Sequence, residues 1–160
     1  MTDIAPELQS TLENFVAAER RLQETVAQIP AERWSEPSPN DGWTYKDLLA
    51  HLATGDWICQ HFLRSLLGTA SVPEWPDADV GNAERVAARR SKSVSELAVE
   101  RAQHRKETVR LIEQLELRHL ESPIDMPWFN VRGAPFRVYL QSFPGHDIDH
   151  TRELEAIVAL

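Results

Sequence analysis

His146 and His150 stand four residues apart in the segment Pro144-Gly-His-Asp-Ile-Asp-His-Thr-Arg-Glu-Leu154. Residues at i and i+4 of an α-helix project from one face about one turn apart, so two imidazoles so placed can share one divalent cation. The surrounding pattern is helical: Phe136, Phe143, His150 and Ile157 fall at one heptad position, and Tyr139, His146, Glu153 and Leu160 at a second. Both histidines are therefore expected on the seam that faces the core. Metal ligation competes there with two plainer readings, a buried pair satisfied by hydrogen bonds and a pair on a solvated helix end. A third imidazole, His51, lies at the edge of an apolar stripe of Leu48, Leu52, Cys59, Phe62 and Leu66. Asp47, one turn before it, is placed either to cap its helix or to orient its ring.

Four helical segments must carry these side chains. The first runs from about Pro6 to Ile29, with Leu8, Phe15, Leu22 and Ile29 on one seam position and Leu12 and Val26 on the other. Proline in its first turn costs nothing, because the N–H it lacks has no intrahelical partner there. Glu19 interrupts the seam, either as a carboxylate reaching into a site or, as expected, as a side chain bent to the surface. Thr44-Tyr-Lys-Asp47 reads as a capping box that opens helix two near Tyr45, and Gly68 stops that helix after Leu67. A connection from Gly68 to about Ser93 follows, with a short helix over Ala83 to Arg90. Ser93-Val-Ser-Glu96 makes a second capping box for helix three, which reaches about Leu117 and is the most polar of the four. An irregular stretch, Ser122 to Ala134, holds a short hairpin around Asn130 to Gly133, and Pro135 starts helix four.

This pattern predicts an all-α chain: a four-helix bundle with a long crossover connection between helices two and three. His51 lies about seven residues into helix two, roughly 10 Å along it, and His146 and His150 lie about ten to fourteen residues into helix four, roughly 15 to 21 Å. If helices two and four run parallel with an offset of about a turn, the three imidazoles converge. Three protein ligands with a fourth position open describe a catalytic rather than a structural metal site. Asp147, Asp149 and Glu153 are the candidate bases or ring-orienting carboxylates, Glu153 foremost because it follows His150 by one turn on the same seam. His61, His104 and His119 are expected to face solvent.

Composition narrows the class. With 160 residues and 42% apolar content the chain fits one domain, 1–160, with a single sizeable core. A formal net charge of −8 argues against nucleic acid or an anionic membrane as partner, since both call for a basic surface. The basic run Arg89-Arg90-Ser-Lys92 is expected to be a solvated helix end. The single cysteine, Cys59, sits in an apolar stripe as a packed, unreactive thiol, and no intrachain disulfide can form, which fits a reducing cytosol. The first residues carry neither a basic nor an apolar leader segment, and no apolar run is long enough to span a bilayer.

The segment Trp43-Thr-Tyr-Lys-Asp-Leu-Leu-Ala-His51-Leu-Ala-Thr-Gly-Asp-Trp57, followed far downstream by His146-Asp-Ile-Asp-His150, resembles the DinB/YfiT-like superfamily. The resemblance covers nearly the whole chain in element order, and its two sharp motifs are moderately specific in combination. It implies a four-helix bundle, often a homodimer, in which His51, His146 and His150 ligate a divalent metal such as zinc, nickel or iron. It further implies a thiol-dependent transferase or isomerase using a low-molecular-weight thiol, or a hydrolase, although many members have no known reaction. The family's name comes from DNA-damage induction and implies no DNA binding. One feature departs from the pattern: Pro144-Gly145 directly precedes the histidine pair, so helix four is expected to kink there or to restart with Ser142 as cap. The alternative to a small-molecule enzyme is a non-catalytic dimeric bundle, structural or binding a small apolar ligand, with Trp43, Trp57 and Trp128 near its mouth.

Overall fold

In the computed structural model, which describes residues 5–72, 74, 77–126 and 131–158, the chain is mostly helical. In order come α1 (Pro6–Val26), a 3-10 turn (Ala31–Ser35), α2 (Tyr45–Leu66), α3 (Ala78–Ala87), α4 (Val94–Ile112), α5 (Leu117–Leu120), β1 (Pro123–Met126), β2 (Val131–Pro135) and α6 (Phe136–Glu155). Both capping boxes form. Thr44 Oγ1 accepts from the Asp47 amide at 3.2 Å while Asp47 Oδ2 accepts from the Thr44 amide at 3.0 Å. Ser93 and Glu96 repeat the exchange at 3.2 and 2.7 Å. Each pair satisfies amides that the first helical turn leaves without partners. Gly68, at φ +71°, takes the left-handed turn that ends α2.

Three boundaries differ from the sequence expectation. α3 starts five residues early, at Ala78, because the Asp77 side chain accepts from the amides of Asp79 and Val80 and so caps it. Helix three stops at Ile112 instead of Leu117. The hairpin is longer than expected: Val131 to Gly133, read as its turn, belong to β2, which pairs antiparallel with β1, and Asn130 lies outside the described residues.

The long helices α1, α2, α4 and α6 pack on one another, α2 against α4 and α1 against α6 most extensively. Buried apolar side chains fall into two clusters. One gathers Leu8, Leu12 and Phe15 with Cys59, Phe62, Leu63, Ile112, Phe136, Leu140 and Phe143. The other gathers Leu22 with Tyr45, Leu48, Leu52, Leu97 and Leu154. Successive membership gives the chain directions: α2 and α4 run from the second cluster to the first, and α1 and α6 the other way. Helices α2 and α6 are thus antiparallel, where the sequence argument assumed a parallel pair. The imidazoles still converge, and without an offset. His51 lies about 9 Å beyond the start of α2, while His150 and His146 lie about 8 and 14 Å before the end of α6, at the same level.

Between the two apolar clusters each long helix contributes charge. Glu19 from α1, Asp56 from α2, Arg101 and Arg105 from α4 and Asp147 from α6 are all buried. Arg101 donates to Glu19 Oε2 and Asp147 Oδ2 at 2.7 Å each and to the Leu52 carbonyl at 2.8 Å. Arg105 donates to both Asp56 oxygens, at 2.8 and 2.9 Å, and to Asp147. Glu19 therefore points inward, against the surface placement expected for it. The guanidiniums of α4 supply the partners without which three carboxylates could not be buried.

A candidate three-histidine metal centre

Helix α2 delivers His51 to the interior, 8% exposed, and α6 delivers His146 and His150 beside it. The Nε2 atoms of His51 and His146 lie 3.3 Å apart. Ring centroids are separated by 5.1 Å for His51 and His150 and by 4.6 Å for His146 and His150. One ligand atom from each of the three lies within 4.8 Å of the others. That spacing and that donor set fit one divalent ion held by three imidazoles.

Carboxylates stand behind two of the rings. His150 Nδ1 is 3.4 Å from Glu153 Oε2, which also accepts from Asn40 Nδ2 at 2.8 Å. His146 Nδ1 is 3.5 Å from Asp147 Oδ1, a buried oxygen that has no hydrogen-bond partner among the described residues. A carboxylate on Nδ1 holds the proton there and leaves the Nε2 lone pair facing the cluster. His51 has no such backing among the described residues: its Nδ1 is buried without a partner there, Trp43 packs against the ring at 5.3 Å between centroids, and Asp47 is taken up by the Thr44 cap. Burial, then the neighbouring imidazoles His146 and His150, hold His51 down at about 3, and burial lowers His150 as well. His51 is thus neutral and able to bind at pH values where free histidine is already largely protonated.

The α6 stripe differs from the heptad reading in one respect. Its core face is Phe136, Leu140, Phe143, Asp147, Thr151 and Leu154, so His146, with a side chain 42% exposed, stands on the flank rather than at the centre. Proline 144 causes no break. α6 runs through it from Phe136 to Glu155, and Ser142 Oγ donates to the Tyr139 carbonyl instead of capping a new helix. Asp147, offered by its position as a base, is fully buried, and the guanidiniums of Arg101 and Arg105 hold its carboxyl far below the usual range. Asp149 pairs on the surface with Arg152.

The remaining assignments fall out simply. Cys59 is buried, and burial pushes its thiol up, away from reactivity. His61, His104 and His119 are half-buried, each partly open to solvent, and His61 stands edge-on to Trp57 at 4.5 Å. Arg89 and Lys92 are more than a solvated helix end, since both hold Glu100 at 2.7 Å and tie α3 to α4. Trp128 lies outside the described residues.

Two of the histidines, His51 and His146, line an apolar cavity of about 340 Å³. Its other walls are Ile58 of α2, Tyr139 and Phe143 of α6, and Ile124, Met126 and Val131 of the hairpin. Asn82 and Ser142 are polar members of the lining. A volume of this size suits a small organic molecule.

The family model of the DinB superfamily matches residues 14–154. The chain belongs to the DinB superfamily. Its fold is that of the solved mycothiol-dependent maleylpyruvate isomerase, at a TM-score of 0.78 and 14% identity over 92% of this chain. A histidine-to-alanine variant of that isomerase matches at 0.77 and 13%. This DinB-family chain spans 60% of the length of the isomerase chain. No curated protein matches it in sequence.

Sequence reasoning missed Arg101, Arg105 and Asn40. The first two were detectable. Leu97, Arg101, Arg105, Thr108 and Ile112 are spaced as one helical stripe, which makes the arginines core members of a helix otherwise poor in apolar residues. Asn40 gave no signal, since it sits in a turn and meets Glu153 only through the fold. Replacing Glu153 with glutamine is expected to weaken divalent-metal binding about 10- to 100-fold, as loss of a ring-orienting carboxylate does. Competition with a chromophoric chelator measures this; an unchanged affinity would reduce Glu153 to a surface charge.

Proposed function

We propose that the chain is a metal-dependent enzyme that acts on a small molecule in the apolar cavity, with His51, His146 and His150 as the metal ligands. The observation that carries this reading is the convergence of three imidazoles, two of which, His51 and His146, line that cavity. When bound, a divalent cation such as zinc, nickel or iron supplies Lewis acidity and lowers the pKa of a water or thiol at its open position. The chain's own residues do the rest. Asp147 and Glu153 fix ring orientation, Trp43 shields His51, and the hairpin and Phe143 exclude water from the reacting end. The likeness in fold to a mycothiol-dependent isomerase supports a low-molecular-weight thiol as co-substrate, in a transferase- or isomerase-type reaction, with hydrolysis as the variant in which water takes the thiol's place. The same reading takes the four long helices as a single-domain four-helix bundle with residues 68–93 as crossover, which the parallel course of α2 and α4 supports. It also takes the bundle as a cytosolic homodimer, as the family resemblance implies.

A cobalt-loaded sample separates the readings. An exchangeable fourth position requires that the d–d spectrum change when azide or 2-mercaptoethanol is added. A spectrum indifferent to both would make the site structural, and failure to take up cobalt, zinc or nickel would leave a cavity that binds small apolar ligands without metal.

A further inference from the structure

Arg85, on α3, differs from the other shielded arginines. Arg21, Arg33, Arg64, Arg89, Arg101 and Arg105 all pair with a carboxylate. Among the described residues only Arg85 and Arg132 have no such partner, and Arg132 is exposed whereas Arg85 is half-buried. This is unexpected in a chain with 25 acidic residues against 17 basic ones, since desolvating a guanidinium without an anion costs free energy.

The guanidinium is nevertheless held in place. Its carbon lies 5.2 Å from the ring centroid of Trp57, and Nη2 donates to Asn82 Oδ1 at 2.8 Å. Asn82 lines the cavity, so the fork lies one hydrogen bond from the cavity lining, with its remaining N–H groups unclaimed among the described residues. Stacking on an aromatic face and one hydrogen bond to a neutral amide fix the fork without neutralising it. Such a group is preorganised for an oxyanion.

We propose that Arg85 is the anion-recognition residue of the histidine cavity, taking a carboxylate or similar anionic group of the small molecule whose apolar body the cavity encloses. The inference rests on the cavity being the ligand site. It adds that the ligand is an amphiphilic anion, its charge toward α3 and its hydrocarbon toward Phe143 and the hairpin. The anion can belong to the substrate itself or to a thiol co-substrate.

Calorimetric titration of the protein as purified, with hexanoate against hexanamide and with 3-mercaptopropionate against 3-mercaptopropanol, tests it. Wild-type protein should prefer the anionic member of at least one pair by roughly 10- to 100-fold, the worth of one charge-assisted pair. Arg85→Gln should abolish that preference and leave the neutral probes within about twofold, while Arg85→Lys keeps part of it, as a point charge without the fork. A preference shown by hexanoate assigns the anion to the substrate, and one confined to the thiols assigns it to the co-substrate. Any contribution from carboxylate coordination to a metal is common to wild type and variant, so their difference isolates Arg85. Repeating the titration after metal removal separates the two readings, because an Arg85-dependent preference that survives there stands even if the metal assignment fails. The proposal is overturned if wild-type protein shows no anionic preference, or if Arg85→Gln weakens charged and neutral probes alike, as loss of packing on Trp57 would.

Discussion

His51→Ala and His150→Ala are each expected to lower divalent-metal affinity by more than about 100-fold, beyond what the loss of an orienting carboxylate costs, while the helical content stays that of the wild type. The two side chains come from different helices, and each supplies one of three ligand atoms that lie within 4.8 Å of one another. Two imidazoles on one helix remain after the first substitution, and one from each helix after the second, so neither variant retains a three-coordinate platform. The fold should tolerate both changes. The hydrophobic clusters that hold α2 and α6 in place include neither histidine, and His51 contributes a ring nitrogen that is buried without a partner. Metal content by elemental analysis, paired with circular dichroism, reads the two consequences separately. If both variants bound one equivalent of zinc at wild-type affinity, the three-histidine assignment would be wrong.

Much of this site was legible before any coordinates. The spacing of His146 and His150 put both rings on one side of α6, and the apolar stripe of α2, whose start the Thr44 cap marks, turned His51 inward. Those are local facts, set by helical period and by hydrogen bonds within four residues. What the sequence left open is non-local. The antiparallel course of α2 and α6 depends on the path of the 68–93 connection, which periodicity does not report. Of the two outcomes open at Pro144, a kink or a restart, the restart did not occur: α6 continues from Phe136 to Glu155 despite the missing donor. Glu19 and Asp147 were read as surface or catalytic carboxylates because their partners lie 82 and 46 residues away on α4. A charged residue on an apolar seam carries two opposite meanings, and only its cross-helix partner decides between them.

That ionic layer is also where the second large effect is expected. Arg101→Met should destabilise the protein by about 3–5 kcal/mol, the cost of removing one member of a buried ion network and stranding the rest. Arg101 is 1% exposed and donates to Glu19, Asp56, Asp147 and the Leu52 carbonyl, so its loss leaves three buried carboxylates against Arg105 alone. Against a total stability of about 5–15 kcal/mol for a domain, that is a large fraction. Arg64→Met is the control: its pair with Glu107 is about one-third exposed, and a loss of no more than about 1 kcal/mol is expected. The pH dependence has a definite sign. The folded-state carboxyl of Asp147 is depressed, so its contribution is fully present above the unfolded value near 3.9 and is lost only as pH falls through the folded one. Without Arg101 the stranded carboxylates can relieve their repulsion by taking up protons. The gap between wild type and variant in urea unfolding should therefore be widest near pH 7 and should narrow as pH falls through the carboxylate range. A gap of under about 1 kcal/mol at pH 7 would mean that water reaches the layer and screens it.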